Sequence, residues 1–235
     1  MKYIYLLFFT FINILIFAQT KTIEVKYKVI LREDGIYEEH LKKNPDSYYA
    51  FEKIETYAEM FEMILVADKN ISFYRTLEVI EPIDPLVSFE RLKGFVSYDS
   101  FYYFDFKNKY LYTQKYFNDK EILMRANQDN YQWIITDETK VIQGFTCYKA
   151  TLKFKDRKPE FIVWFTPEIP FGAGPMEFVG LPGLVLEVRT PFFVYGATSI
   201  NLNSDEKPYK LPDLPILEYD EVQEQARKAM QNFGM

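Results

Sequence analysis

Apolar and polar residues alternate at period two along most of the chain. Ile23, Val25, Tyr27, Val29 and Leu31 alternate with Glu24, Lys26, Lys28 and Arg32, with Ile30 the one breach. Tyr148, Ala150, Leu152 and Phe154 alternate in the same way with Lys149, Thr151, Lys153 and Lys155. A strand turns successive side chains to opposite faces, so this pattern predicts strands with one buried and one wet face. Phe161 to Phe165 is apolar on both faces and predicts a more central strand. Strands are predicted near 21–31, 62–67, 71–79, 95–105, 110–117, 121–126, 131–136, 142–155, 160–166, 184–190 and 192–202.

The punctuation between them is short and polar. Asp68-Lys69-Asn70, Lys107-Asn108-Lys109, Asn118-Asp119-Lys120 and Asp156-Arg157-Lys158-Pro159 are connections that suit antiparallel neighbours. No repeat of 20–50 residues is visible, which argues against propellers and solenoids. Helical spacing occurs twice. Phe51, Ile54, Tyr57 or Ala58, and Phe61 follow Pro45-Asp46-Ser47, a stretch that an extended strand would also fit. Near the C-terminus, Val222, Ala226, Ala229 or Met230, and Phe233 share a stripe. Asp220 is placed to cap that helix, with Gln223 three residues on. A connector marked by Pro208, Pro212 and Pro215 precedes it. The expected fold is therefore mainly β. An antiparallel curved sheet forms an open barrel or sandwich, with one or two short helices including a C-terminal one.

The first residues change the picture of where this fold works. Lys2 precedes a near-continuous apolar run from Tyr5 to Phe17, and Ile16-Phe17-Ala18 presents a small residue before Gln19. This is the layout of a cleavable export signal, here residues 1–18, followed by one mainly-β domain over 19–235. The run is shorter than the roughly 20 apolar residues of a spanning helix. No integral membrane segment is expected after cleavage, and the mature chain is expected in the periplasm, associated with the outer membrane, or outside the cell. Gln19 stands where a lipoprotein would need Cys.

Cleavage would remove Lys2 and no acid, leaving 27 basic residues against 34 acidic ones, a net charge of −7. With no basic block, attraction to nucleic acid or anionic lipid is disfavoured. Cys147 is alone, so no intrachain disulfide forms. His40 is the only histidine and lies among Glu38, Glu39, Lys42 and Lys43. Multi-histidine zinc sites are thereby excluded, and no GxSxG, HExxH, phosphate-loop or dinucleotide motif is present. No cofactor and no catalytic residue are assigned. Two chemical alternatives remain: a hydrolase using carboxylates from Asp137, Glu138, Glu168 and Glu177, and a metal-handling protein built on Cys147. Cys147 shares the parity of the strand's lysines and also fits a small packed hydrophobe.

Aromatic residues are abundant, with 22 Phe, 19 Tyr and 2 Trp. In the hairpin from Phe95 to Tyr116, Phe101, Tyr103 and Asp105 alternate with Tyr102, Phe104 and Phe106, so both faces carry rings. They fit either β-core filling or a stacking surface for an apolar ligand. The densest signal runs from Trp164 to Glu187, where four of nine glycines fall between Gly172 and Gly183. Leu181-Pro182-Gly183-Leu184 reads as a type II turn, with Pro182 pre-setting φ and Gly183 supplying a positive φ. Pro167, Pro170 and Pro175 stiffen the approach. A pre-shaped loop held between two core strands is a natural place for a binding rim. Its candidate residues are Trp164, Pro170, Gly174, Pro175, Phe178, Gly180, Leu181, Pro182, Gly183 and Glu187.

These same residues carry a resemblance. Gly180-Leu181-Pro182-Gly183-Leu184-Val185 resembles the signature of the GLPGLI family of exported proteins from Bacteroidota-type bacteria, with Val185 in place of the usual Ile. The stretches Trp133 to Ala150 and Trp164 to Pro175 are similar to that family as well, so the closer likeness covers about 131–188. The family has no established function or catalytic residues. Its members are often encoded near TonB-dependent outer-membrane receptors. The resemblance therefore implies an accessory role beside nutrient uptake, with such a receptor as partner. The reading that joins these observations is a non-enzymatic binding module for an apolar or peptide ligand.

Overall fold

The computed structural model describes residues 22–32, 43, 56–80, 89–153, 161–191 and 193–232. The export signal, His40, Phe51, Ile54, Phe154, the Asp156–Pro159 cluster and Phe233 lie outside the described residues.

The strands are β1 (Ile23–Leu31), β2 (Glu62–Ala67), β3 (Ile71–Thr76), β4 (Phe101–Asp105), β5 (Tyr110–Phe117), β6 (Lys120–Asn127), β7 (Gln132–Ile142), β8 (Phe145–Lys153), β9 (Phe161–Thr166), β10 (Leu184–Arg189), β11 (Phe193–Asn201) and β12 (Ile216–Glu218). Helix α1 spans Phe89–Phe95 and α2 spans Tyr219–Asn232. All twelve strands join one sheet in the order β12-β6-β5-β4-β3-β2-β1-β11-β10-β9-β8-β7. Every pairing is antiparallel except that of β12 with β6. The sheet does not close, since β12 and β7 are its two ends. A twisted sheet of more than about ten strands must curl or flatten, and this one curls. Trp133 of β7 and Gln128 beyond β6 both bond to the one segment between β9 and β10, and Tyr27 of β1 bonds to Val185 at the start of β10.

Local chemistry sets the hairpins. Asp68 Oδ1 accepts from the Asn70 and Ile71 amides at 2.7 and 3.0 Å, closing the β2–β3 turn. Asp105 Oδ1 does the same for Lys107 and Asn108. Asn118-Asp119, with φ of 49° and 59°, and Gln143-Gly144, with 50° and 83°, are two-residue turns that place both central residues in the left-handed region. That backbone twist matches the twist of the flanking strands.

Two predicted boundaries are corrected. The strand expected at 95–105 begins only at Phe101. Lys93 O instead accepts from the Tyr98 amide and Gly94 O from Ser97, so the chain leaves α1 through a tight turn. The strands expected at 131–136 and 142–155 divide elsewhere, because β7 continues to Ile142. A bulge between Ile135 and Thr139 accommodates Thr136-Asp137-Glu138 within the strand. β7 is an edge strand with little buried surface, so its sequence carries no alternation to read. The C-terminal helix starts at Tyr219, one residue before Asp220. The Glu218 amide donates to Glu221 Oε2, half of a capping box set on Glu218 rather than Asp220. The parallel strand β12 is an element the sequence pattern does not reveal.

One face of the sheet and the segment it encloses make the main core. Tyr27, Met63, Leu65, Tyr74, Phe104, Leu111, Ala150, Val163 and Val188 belong to it. Across β3–β6 the other face carries a smaller cluster of Phe73, Tyr103, Tyr112 and Leu123. The proline-marked connector covers that cluster with Leu211, Leu214 and Tyr209, whose ring lies 4.6 Å from that of Phe73. Most of the aromatic hairpin is thus core on both faces, while Tyr116 stands exposed.

The segment between β9 and β10 depends on glycine for close approach. A Cβ on Gly183 would lie 2.1 Å from the Thr166 carbonyl oxygen. Gly183 does not adopt the positive φ expected of a type II turn; that conformation falls on Gly180, at +86°. Gly183 is required for the absence of a side chain against backbone that cannot retreat. Gly183→Ala should therefore destabilise the chain by about 3 kcal/mol, the upper part of the overpacking range. Gly144→Ala, at φ +83° with open space around it, should cost only about 1–2 kcal/mol. Urea unfolding midpoints of the two variants check the order.

Candidate functional site

The chain from Ile169 to Leu184 forms a plug inside the curled sheet. Its own backbone holds it: the Gly180 amide donates to Gly172 O at 2.8 Å, Val185 to Ala173 O at 2.9 Å and Leu184 to Ile169 O at 3.0 Å. Ile169, Phe178, Val179 and Leu181 are buried, and Phe178 packs on Phe161 with ring centres 5.5 Å apart. The sheet grips it from both ends. Tyr27 Oη donates to Val185 O at 2.7 Å, Trp133 Nε1 to Val179 O at 3.0 Å and Gln128 Nε2 to Gly180 O at 3.2 Å.

Beside the plug lies a cavity of about 720 Å³. Its walls come from several parts of the fold. Tyr102, Leu111, Thr113, Met124 and Ala126 are inward-facing residues of β4, β5 and β6, which the register sets side by side: Leu111 opposite Ala126, Thr113 opposite Met124 and Tyr102. The turn after α1 supplies Ser97 and Ser100. The linker from β6 to β7 supplies Asp129 to Tyr131, the start of β7 supplies Gln132, and the first turn of α2 supplies Tyr219 and Asp220. The plug contributes Glu177. The volume is in the range of small-molecule sites, and the lining is largely polar, with three tyrosine rings and the aliphatic Leu111, Met124 and Ala126 among it.

Glu177 is the electrostatic centre. Burial holds the Tyr102 and Tyr131 hydroxyls well above the usual phenol range, and the Glu177 carboxylate raises both further. Hydrogen bonds with Ser97 and Ser100 oppose the shift at Tyr102. Behind the wall, burial also raises the fully buried Tyr74 and Tyr195, Tyr74 then mainly through its tyrosine neighbours Tyr195, Tyr102 and Tyr27, and Tyr195 through Glu177. The Tyr74 hydroxyl is buried without a hydrogen-bond partner. The backbone that aims Glu177 is strained. Met176 has φ 52° and touches Ser97, φ 51°, with Sδ 3.8 Å from Oγ. Each left-handed non-glycine residue costs about 1–2 kcal/mol. Such outliers tend to collect at functional sites.

The predicted rim residues have other positions. Gly174, Pro175, Phe178, Leu181 and Gly183 are buried in the plug, Gly180 is half-buried, and Pro170 and Pro182 are exposed. Trp164 and Glu187 lie together on the outer face. The Lys140 ammonium sits 4.6 Å from the Trp164 ring centre and 2.7 Å from Glu187 Oε2, and Arg189 Nε is 2.9 Å from Glu187 Oε1. None of the ten lines the cavity. Of the four weighed carboxylates, Glu138 pairs with Lys149 at 2.8 Å and Glu168 accepts from the Thr146 amide at 2.8 Å. Asp137 is exposed on the β7 bulge, and only Glu177 reaches the cavity. Asp129, Asp220, Tyr131 and Tyr219 were missed. They sit on short connections or helix starts, where periodicity has nothing to say.

Cys147 is fully buried beside Lys140, its cross-strand partner. Its thiol contacts Phe145 O at 3.6 Å, and burial pushes its pKa up to about 11. Among the described residues, no group of three or more His, Cys, Asp or Glu side chains is arranged to hold a metal ion. No described helix is long and apolar enough to cross a membrane.

Comparison with known proteins locates this fold but not its task. Residues 153–187 match a family described as "Protein of unknown function (Porph_ging)". The match ends at Glu187 and takes in the whole plug. No curated protein matches the sequence. Two solved structures share the fold: "Structure of PNGF-II in C2 space group", with TM-score 0.52 and 16% identity over 88% of this chain and 32% of that one, and "Structure of PNGF-II in P21 space group", with TM-score 0.52 and 15% identity over 86% and 33%. The chain thus spans about a third of the length of the solved chains it matches.

A buried thiol with a raised pKa is unreactive twice over, through access and through protonation. In the folded chain at pH 8, iodoacetamide should label Cys147 at least about 100-fold more slowly than in urea. Mass spectrometry over time measures the ratio.

Proposed function

We propose that this chain is an exported binding module of the GLPGLI type, and that the cavity between β4–β6 and the plug is its ligand site. The observation that carries the reading is the cavity itself. It opens to solvent past the exposed Asp129, Asn130, Gln132 and Asp220, so a ligand can reach it, and its inner side is walled by Tyr102, Leu111, Thr113 and Ala126 with Glu177 from the plug. Tyrosines and hydroxyl side chains on one wall and apolar Leu111, Met124 and Ala126 on another suit a small organic or peptide ligand. No covalent chemistry is assigned to these residues.

Export rests on the Lys2 to Ala18 pattern, and the envelope setting on the family resemblance. In this reading the mature protein works in the periplasm or on the outer membrane. It collects a ligand there and hands it to a TonB-dependent receptor, the partner that the resemblance suggests.

Two outcomes are expected. Envelope fractions of a producing cell should yield a chain whose first residue is Gln19; a cytosolic chain beginning at Met1 would sink the export half. Met124→Trp and Thr113→Phe should each fill the cavity and weaken capture of a small-molecule or peptide library by at least about tenfold, with unfolding midpoints near that of the parent. Capture that survives both substitutions would move the ligand site elsewhere.

A further inference from the structure

The sheet ends differently on its two sides. β12 is three residues long and passes at once into α2, so little of that edge is open. β7 is eleven residues long, carries no proline and holds no buried residue. Ile134 and Ile135 are 40% and 48% exposed there. The turn after β7 tells which backbone groups face outward. Gln143-Gly144 is a two-residue hairpin connection, so Ile142 and Phe145 form a hydrogen-bonded pair, and such pairs recur at every second residue of β8. Two side-chain bonds agree: Lys149 O accepts from Thr136 Oγ1, and the Thr146 amide turns away from β7 to Glu168. Ile134, opposite Thr151, therefore bonds toward β8, while Trp133 and Ile135 aim their amides and carbonyls off the edge. Among the described residues nothing bonds to those four groups. We propose that this edge pairs with the same edge of a second copy of the chain, antiparallel about a two-fold axis through Ile134.

The register follows from the backbone. Trp133 exchanges its two bonds with Ile135 of the partner subunit, and Ile135 does so with the partner's Trp133. Ile134 then meets the partner's Ile134 in the intervening pair, where side chains of an antiparallel ladder come closest. On the face that carries Trp164, Ile134 is the last member of a row with Thr151, Ile162, Arg189, Val194 and Ile30. A second copy continues that mostly apolar row past the edge. Charge favours the same half of the strand. Gln132 to Thr136 holds no charge, and Asp137 and Glu138 fall toward the partner's Tyr131 and the partner's Asn130 rather than toward each other. Past the bulge the match fails. Thr139 and Val141 face outward there, and the equivalent register sets Lys140 opposite the partner's Lys140, which is repulsive. The bulge between Ile135 and Thr139 also stops the pairing from running the whole strand. An unrelated strand could use the backbone groups alone; the isoleucine pair and the absence of like charges belong to the match with a second copy. Five paired residues bury less than the roughly 800 Å² per partner of a tight complex, so association is weak, with a Kd of about 10–100 μM. Gln132 also lines the cavity mouth, so the partner's Thr136, opposite it in this register, stands beside that mouth. The pairing does not depend on the cavity being a ligand site.

Sedimentation equilibrium of the chain spanning residues 19–235, from about 5 μM to about 1 mM, should show a monomer–dimer equilibrium in the range given. Ile134→Lys sets two ammonium groups at the axis and should weaken association at least about tenfold. Val141→Lys, on the same edge past the bulge, should change it by less than about twofold. Both positions are exposed, so unfolding midpoints should stay near that of the parent. Ile134→Cys should join two copies by a disulfide as oxidised glutathione takes up the two electrons and two protons of the paired thiols; Val141→Cys should not. Cys147, buried and with its pKa pushed up to about 11, stays out of that exchange. A chain that is monomeric at every concentration would overturn the proposal. Equal cross-linking at positions 134 and 141 would do the same, as would association that Val141→Lys weakens and Ile134→Lys does not. A chain that stays monomeric yet takes up an alternating Thr-Val hexapeptide along this edge would assign the edge to a foreign strand and overturn the second copy.

Discussion

Everything in this fold depends on the segment between β9 and β10 lying against the backbone of its neighbours with no side chain between. Gly183 faces the Thr166 carbonyl at a distance no Cβ tolerates, and a Cβ on Gly174 would meet Val185 and the Phe178 carbonyl. That contact lets the chain fold back twice within sixteen residues and push Phe178, Val179 and Leu181 into the concavity of the sheet. Ordering an irregular segment costs about 1–2 kcal/mol of backbone entropy per residue. Prolines at 167, 170, 175 and 182 lower that cost by restricting the unfolded chain beforehand. Burial of the large apolar side chains, at roughly 1.5–3 kcal/mol each, offsets much of the rest.

The plug also explains why a twelve-stranded sheet can curl without closing. Closure of a barrel comes from pairing the first and last strands, yet β7 and β12 never meet. Instead the β7 end and the turn after β6, next to the other end, are both tied to the plug. Trp133 from β7 and Gln128 from beyond β6 both donate to carbonyls of the plug, and Tyr27 near the middle of the sheet donates to Val185 O. An open seam results, and the cavity forms near it, where β4–β6 face the plug and the start of α2. The connector fixes the position of that helix. It runs over Phe73 and Tyr103, and the Leu123 amide donates to Pro215 O at 2.9 Å before β12 pairs with β6.

Legibility in the sequence followed burial. Strands with one covered face, such as β1 and β8, show their alternation openly, and their positions could be read to within a few residues. The mainly-β architecture followed from them. β7 was cut short because its residues from Asp137 to Lys140 are polar on an exposed edge, where nothing selects for apolar spacing. β12 was invisible: three residues in parallel pairing offer no period at all. The plug was legible as a special loop from its glycines and prolines, but its orientation was not. Composition cannot tell a rim from a plug, since both need tight turns. Glu177 was named as one acid among four, and only the fold separates it from Glu138 and Glu168, which are engaged at the surface. The other cavity acids, Asp129 and Asp220, look like ordinary turn and helix-start residues and serve as such.

This double service bears on how the site is built. Asp220 sits in the first turn of α2, where a carboxylate is favoured by the helix dipole whether or not a ligand is present. Asp129 belongs to a one-turn 3-10 segment whose geometry is held by Asn127, which accepts from the Asp129 amide at 2.9 Å. Neither residue needs the cavity to justify its place. Glu177 does, for it follows a left-handed Met176 that local sequence would avoid. The backbone strain stored there is balanced only by the surrounding packing of the plug. The same glycine contacts that shape the fold therefore also hold Glu177 on the cavity wall. Loosening the plug would release that strain and let Glu177 leave the tyrosines, so stability of the core and charge in the cavity are coupled through a single stretch of chain.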